Sequence, residues 1–171
     1  MDITKYLDTW AAAYRNDLIE NIMPFWMKFG LDRKHGGIYT CLDRDGKLMD
    51  STKSVWFQGR CLWTFSALCN RYGINDDFKV AAELGKTFLE NKCFDKDGRM
   101  FFTVTRDGKP LRKRRYMFSE SFYVVSMAEY GHAFGDHDAL NKAEKCFEMM
   151  MRIYREPESD PFKITPKAYS E

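Results

Sequence analysis

The sequence lacks the features that mark several protein classes. The chain of 171 residues has no apolar run near the roughly 20 residues that a membrane-spanning helix needs. The N-terminal segment is acidic early and has no apolar signal-peptide core. The formal net charge is only +2, whereas phosphate binding requires a clear basic excess. We therefore expect a cytoplasmic protein without a membrane or nucleic-acid partner.

The cysteines do not show a metal-binding spacing. The five cysteines form an odd set without a CxxC pair, so free thiols in a reducing compartment are the simplest interpretation. The Asp-Gly pairs that begin at Asp45, Asp97 and Asp107 lack the alternating acids and downstream Glu of an EF-hand loop. We interpret them as turns and predict no metal site.

Aromatic residues are abundant, at 16% of the chain. So many rings must line either a large core or a pocket with aromatic walls. Hydrophobic residues make up 44% and charged residues 30%, which is typical of a folded domain rather than a disordered chain.

Apolar residues recur at helical spacing in five segments. They predict helices over residues 4–29, 53–72, from Asn75 or Asp76 to about 92, about 118–134 and about 137–154. Pro24 is expected to kink the first helix, and Gly30 to end it. A β-hairpin is predicted over residues 38–48, and a hairpin pair around Asp97 and Asp107.

A layout of helix, short acidic turn and helix occurs twice, around Gly73 and again around Gly135. Such αα-hairpins cannot bury both faces alone, and stacking them in a ring gives a toroid. Polar groups among large rings place helices 53–72 and 118–134 on the inner wall. We predict an all-α fold of the α/α toroid type, here an incomplete arc of about five helices with short β-hairpins between helix pairs. Residues 1–171 would then be the front portion of a longer domain.

The sharpest local feature is the run Trp56-Phe57-Gln58-Gly59-Arg60, followed by Trp63. A charged Arg among rings needs a partner or a ligand, and its planar fork suits sugar hydroxyls, carboxylates or an enolate oxygen. The alternative is an Arg that reaches the surface past the rings or pairs with a structural Glu.

A second candidate segment runs from Tyr116 to Phe122. Glu120 could orient a substrate hydroxyl or hold Arg60, and it could equally be the third residue of an ordinary helix start. The histidines at 35, 132 and 137 do not form a metal-binding pair or triad, and we interpret each as structural or exposed.

Several blocks in unbroken order resemble the N-acylglucosamine 2-epimerase family, which includes the renin-binding proteins and is related to the cellobiose 2-epimerases. The blocks cover residues 36–46, 53–60, 105–110, 118–122 and 128–130. The resemblance implies an (α/α)6 barrel, in agreement with the repeat. It also implies interconversion of N-acetylglucosamine and N-acetylmannosamine by inversion at C2, through an enediolate-like intermediate of the ring-opened sugar.

The resemblance also implies roles for individual residues. Arg60 matches the barrel-lining arginine of the family, so we expect it to be catalytic by binding the sugar and stabilising the developing oxyanion. The further sugar-binding candidates are Tyr39, Trp56, Gln58, Tyr116, Ser119 and Glu120. The proton-transferring histidines of the family lie in the second half of its barrel, and none of His35, His132 and His137 matches them.

The resemblance implies no required cofactor, with ATP as an effector in some relatives, and it allows a homodimer. Two alternatives stay open. One is an aldose–ketose isomerase or a cellobiose 2-epimerase on the same fold. The other is a non-catalytic fragment that binds a sugar or a partner.

Overall fold

The computed structural model describes residues 2–113 and 117–160, which form five long helices joined by short strands. The helices are α1 (Ile3–Asp17), α2 (Val55–Tyr72), α3 (Asp76–Lys92), α4 (Phe118–Phe134) and α5 (His137–Arg155). The strands are β1 (Cys41–Leu42), β2 (Leu48–Asp50), β3 (Lys53–Ser54), β4 (Thr103–Val104) and β5 (Pro110–Arg112). The predicted arc of helices with short hairpins between them is confirmed.

The ends of α3, α4 and α5 follow local capping signals. The side chain of Asn75 accepts a hydrogen bond from the Phe78 N–H at 3.1 Å, and that of Asp136 accepts one from the Ala139 N–H at 3.0 Å. Gly135 ends α4 in the left-handed conformation, which glycine adopts without strain. The predicted bounds of these three helices are therefore confirmed to within a residue.

The first helical segment is longer and less regular than α1. The chain continues beyond α1 as π-helical turns at Leu18–Ile22 and Trp26–Gly30, on either side of a short α-helical turn, Met23–Phe25. Pro24 lacks an N–H group, so an α-helical hydrogen bond is missing there and the helix widens on both sides. The predicted helix over residues 4–29 is confirmed in extent, with Pro24 as the irregular point.

The predicted start of α2 at residue 53 is wrong. Lys53 and Ser54 form β3, which pairs antiparallel with β4, and β4 pairs in turn with β5. This pairing joins residues about 50 positions apart, whereas helical periodicity reports only near neighbours. The first hairpin is confirmed at its turn, but its strands β1 and β2 lie further along the chain, and Ile38 instead bridges to Leu31.

The helices form two layers. The inner helices α2 and α4 pack against each other, while α3 covers α2 and α5 covers α4. The inner pair approaches closely at Gly59, where an added Cβ would lie 2.9 Å from the carbonyl oxygen of Phe122. The outer layer is joined by an ion pair between Lys142 Nζ and Glu90 Oε1, 2.7 Å apart. The predicted inner and outer helices agree with this arrangement.

Helix α1 has a contiguous apolar stripe that the rest of the described chain does not cover. None of its residues is buried, and Trp10, with an exposed fraction of 46%, packs on the rings of Tyr6 and Tyr14 in the same helix. The exposed large apolar side chains of α1 are Ile3, Tyr6, Leu7, Trp10 and Tyr14. Among the described residues, no helix is both long enough and apolar enough to cross a membrane.

Three charged residues join the loop before β1 to the rest of the fold. Asp32 and Lys53 are both fully buried, and Lys53 Nζ lies 3.0 Å from Asp32 Oδ2. Lys53 also donates to the carbonyl oxygens of Gly36 at 2.6 Å and Arg106 at 2.8 Å. Arg106 donates from Nε to Asp32 Oδ2 at 2.8 Å and from Nη2 to Oδ1 at 3.1 Å. We call Asp32, Lys53 and Arg106 the buried charge cluster.

The pKa values of the cluster reflect burial and pairing. Burial alone would raise the pKa of Asp32, but hydrogen bonds from Arg106 and Lys53 outweigh it and hold that pKa well below its usual range. Burial lowers the pKa of Lys53, and the bond to Asp32 offsets that effect only in part. Among the described residues, Asp32 is therefore the carboxylate that pairs with both cations.

Adding a methyl group at Gly59 should force the inner helices apart. We expect Gly59→Ala to lower the free energy of unfolding by about 1–3 kcal/mol, since the contacted atoms are main chain and cannot move aside. Gly85→Ala is the matched control, because its Cβ would meet Leu62 at an ordinary 3.7 Å. The control should gain about 0.5–1 kcal/mol from better helix propensity. Denaturant unfolding followed by circular dichroism measures both, and equal effects would contradict the close approach.

Removing the Asp32 charge should leave Lys53 and Arg106 without their carboxylate partner. We expect Asp32→Asn to lower the free energy of unfolding by about 3–5 kcal/mol at neutral pH. The folded-state pKa lies below the unfolded value of about 3.9, so the stabilisation is present above that pH and is lost as the pH falls further. Urea unfolding across pH should therefore show the difference between wild type and variant shrinking in acid.

Asp45→Asn is the control for this experiment, because the Asp45 carboxylate is exposed. It should change the free energy of unfolding by less than about 0.5 kcal/mol. If the free energy of unfolding of Asp32→Asn stays below that of wild type by a constant amount into strong acid, the ionised Asp32 carboxylate is not the source of the stabilisation.

Candidate functional site

A cavity of about 240 Å³ lies between the helical segment that follows α1, the loop before β1 and the first half of α2. Its wall is mostly apolar, with a few polar groups. The lining residues are Leu18, Ile22, Met23, Trp26, Ile38, Tyr39, Thr40, Phe57, Arg60, Cys61, Thr64 and Phe65. A small, largely apolar cavity with a few polar groups is typical of a site for a small molecule.

Arg60 lines this cavity and remains exposed to solvent. Its guanidinium carbon lies 5.6 Å from the ring centre of Trp56, 5.7 Å from that of Phe57 and 6.0 Å from that of Phe122. Within residues 2–113 and 117–160, no carboxylate lies in ion-pair contact with Arg60. The rings therefore orient a cation whose hydrogen-bonding fork stays available to a ligand.

Trp56 belongs to an aromatic cluster that spans the two inner helices. Its ring centre lies 5.4 Å from that of Phe118 and 5.6 Å from that of Phe122. Trp56 is half-buried and does not line the cavity itself, and it reaches the site through Arg60. The structure thus brings the predicted residues Trp56 and Arg60 together beside the cavity.

Tyr39 is the third predicted residue at the cavity. It is half-buried, and its main-chain N–H donates to the Gly30 carbonyl at 2.8 Å. Burial raises the pKa of the phenol, and the nearby Asp32 carboxylate raises it further, so the hydroxyl is neutral at physiological pH. A neutral phenol can donate a hydrogen bond to a sugar hydroxyl or accept one from it.

Gln58 has a structural position rather than one in the cavity. It is fully buried, its Oε1 accepts from the Ile38 N–H at 2.8 Å, and its Nε2 donates to the Ile38 carbonyl at 2.9 Å. The side-chain amide therefore pairs with the main chain of the loop as a neighbouring strand would. Both ends of the amide are occupied in this arrangement, and the sugar contact predicted for Gln58 stays a prediction.

Ser119 and Glu120 are likewise buried at the start of α4. Glu120 Oε1 accepts hydrogen bonds from Arg99 Nε at 2.8 Å and from the Met100 N–H at 3.0 Å. Glu120 therefore pairs with Arg99 and not with Arg60, and it occupies the first turn of the helix. Neither residue lines the cavity. Tyr116, the remaining predicted residue, lies outside the described residues.

The histidines lie away from the cavity. His35 follows Asp32 in the loop, and His137 is the first residue of α5. His132 Nδ1 lies 3.1 Å from Asn70 Oδ1, which joins the last turns of α2 and α4. None of the three lines the cavity, in agreement with their interpretation as structural or exposed.

Several lining residues were not singled out from the sequence. Phe57 and Thr64 lie three and four positions from Arg60, so helical spacing could have identified them. Trp26 comes from a distant helical segment, and no local signal predicts it. Burial raises the pKa of the Cys61 thiol to about 12, so this thiol lines the cavity as a neutral group.

This chain resembles known sugar 2-epimerases. The family model for N-acylglucosamine 2-epimerase (GlcNAc 2-epimerase) matches residues 37–170. The N-acylglucosamine 2-epimerase of Mus musculus is 33% identical over 162 residues, which are 91% of this chain and 37% of the mouse protein. The cellobiose 2-epimerase of Bacteroides fragilis is 26% identical over 159 residues, which are 92% of this chain and 38% of that protein.

The fold agrees with these relatives. The structure of cellobiose 2-epimerase from Bacillus thermoamylovorans matches with a TM-score of 0.79 and 26% identity, covering 85% of this chain and 38% of that one. Such neighbours have the (α/α)6 barrel fold that the resemblance implied, in agreement with the toroid predicted from the repeat. The chain spans about 37% of the length of the mouse relative. Because the family model covers well over half of its residues, the chain belongs to the N-acylglucosamine 2-epimerase family.

Proposed function

We propose that the chain provides the sugar-binding part of an epimerase that inverts C2 of an N-acyl hexosamine, with N-acetylglucosamine and N-acetylmannosamine as the substrate pair. The observation that carries this proposal is Arg60, an exposed cation held among three rings at the wall of a cavity. A relative at 33% identity is an N-acylglucosamine 2-epimerase, which supports an N-acyl hexosamine as the substrate class. Tyr39 and Trp56 complete the proposed binding surface.

Arg60 suits the chemistry of C2 inversion. A base removes the C2 proton beside the carbonyl of the ring-opened sugar, and negative charge develops on that carbonyl oxygen. A guanidinium aimed at this oxygen stabilises the enediolate more than the neutral sugar, which lowers the barrier. An acid then returns a proton to the opposite face of C2, which completes the inversion.

The proton-transferring groups are not supplied by the cavity wall of the described residues. None of the three histidines lines it, and its cysteine is neutral. We propose that the acid and base come from further helices of the ring, so that this chain alone binds the sugar without inverting it. The five free thiols fit a reducing, cytoplasmic location, with a homodimer as the proposed assembly.

A second candidate is a cellobiose 2-epimerase. The chain resembles the structure of such an enzyme with a TM-score of 0.79, and the same enediolate chemistry applies. Titration with cellobiose beside N-acetylmannosamine distinguishes the two substrates. Tighter binding of cellobiose would favour this second candidate.

Removing the Arg60 side chain should weaken sugar binding without unfolding the chain. A charged hydrogen bond contributes about 1.5–3 kcal/mol, so we expect Arg60→Ala to weaken N-acetylmannosamine binding about ten- to a hundredfold. Since Arg60 is exposed, the free energy of unfolding should change by less than about 1 kcal/mol. Ligand-observed NMR measures the affinity, and urea unfolding measures the stability.

Arg44→Ala is the matched control, because this arginine is exposed in the turn between β1 and β2, outside the cavity lining. It should leave sugar affinity unchanged. Equal affinity of wild type and Arg60→Ala would contradict the site. Incubation with N-acetylmannosamine in deuterated water should leave C2 unlabelled by this chain alone, and labelling would contradict the assignment of acid and base to other helices.

A further inference from the structure

The ring of Tyr39 is flanked by both cations of the buried charge cluster. Lys53 Nζ lies 5.7 Å from the ring centre, and the guanidinium carbon of Arg106 lies 5.2 Å from it. Cations at these distances are attracted to the electron-rich face of an aromatic ring. The cluster therefore contacts the one phenol that lines the cavity.

The hydrogen bonds that hold the loop carrying Tyr39 act on its main chain. Gly36 and Gly37 both have positive φ angles, and main-chain bonds join Gly36 to Asp32, Gly37 to Leu84 and Tyr39 to Gly30. Lys53 fixes the Gly36 carbonyl, and Gln58 fixes Ile38, but these bonds hold main chain and not the Tyr39 ring. The ring itself is positioned by the interaction of its hydroxyl with the Asp32 carboxylate and by the two cations that pack against it.

The Arg106 side chain can be replaced without breaking the ion pair between Asp32 and Lys53. Asp32 and Lys53 are fully buried and pair with each other at 3.0 Å, whereas the Arg106 side chain is 38% exposed. Arg106 also contributes its carbonyl oxygen to Lys53, and this bond survives any change of side chain. Removing the guanidinium therefore leaves the buried ion pair intact, so the variant should fold.

We propose that Arg106 is a positioning residue that holds the Tyr39 ring in the wall of the sugar cavity through its two-pronged contact with Asp32. The two N–H groups of the guanidinium reach both carboxylate oxygens, which fixes the plane of the group. A fixed guanidinium plane restricts the ring packed against it. The identity of the ligand rests on the proposed function, whereas the ring position does not.

The test compares Arg106→Gln with Arg44→Gln in the 171-residue chain. Relaxation of ¹³C-labelled tyrosine rings reports mobility, and the Tyr39 signal is assigned by its loss in Tyr39→Phe. We expect a more mobile Tyr39 ring in Arg106→Gln, with roughly tenfold weaker N-acetylmannosamine binding, because a misplaced contact group loses most of its contribution. Arg44→Gln should match wild type in both measurements.

Arg106→Lys is a second test of whether the Arg106 guanidinium positions the Tyr39 ring. It keeps the positive charge but not the planar fork, so Tyr39 mobility should lie between wild type and Arg106→Gln. A purely structural role would lower the melting temperature and leave Tyr39 relaxation in the folded state unchanged.

An unchanged Tyr39 ring in Arg106→Gln overturns the proposal, as does a mobile ring with undiminished sugar affinity. If wild type binds neither N-acetylmannosamine nor cellobiose, the proposed function fails. Tyr39 relaxation then still decides whether Arg106 positions the ring.

Discussion

The site depends on the close approach of the two inner helices at Gly59. Only a residue without a side chain allows the main chain at Phe122 to lie this near, since an added Cβ would meet its carbonyl oxygen at 2.9 Å. That approach brings the rings of Phe118 and Phe122 against Trp56. The same approach places Phe122 beside the guanidinium of Arg60. A packing constraint on main chain thus contributes to the electrostatic surroundings of Arg60.

The surroundings of Arg60 explain how a charged group can be ordered without a carboxylate. An acid partner would occupy the guanidinium fork and neutralise the charge that a developing oxyanion needs. Aromatic faces attract the cation and leave its N–H groups free, because the attraction acts on the face of the guanidinium and not on its edge. Arg99 shows the contrast, since it is buried and its fork is occupied by Glu120 and Asp160. The first arginine is suited to a ligand and the second to stability.

The helix ends could be predicted from local sequence signals, whereas contacts between residues distant in sequence could not. Helix ends at Gly73, Asn75 and Gly135 follow from capping, and the helices were predicted closely. Lys53 was assigned to a helix because its pairing with Val104 is invisible to periodicity. Among the site residues, Arg60 and Tyr39 do line the cavity. Gln58 and Glu120 have the polarity of binding groups, but only the fold shows that their partners are internal.

The cavity is formed by one stretch of the chain and completed by contacts from later positions. Every described residue that lines it falls between Leu18 and Phe65, so the shape of the cavity is set by one short stretch of sequence. The same stretch supplies Trp56 and Phe57 beside Arg60, and Lys53 beside Tyr39. Phe122 and Arg106, from later positions, contact the same two side chains. Local sequence thus forms the hollow and part of the surroundings of its polar groups, whereas long-range contacts complete their orientation, on which hydrogen bonding to a ligand depends.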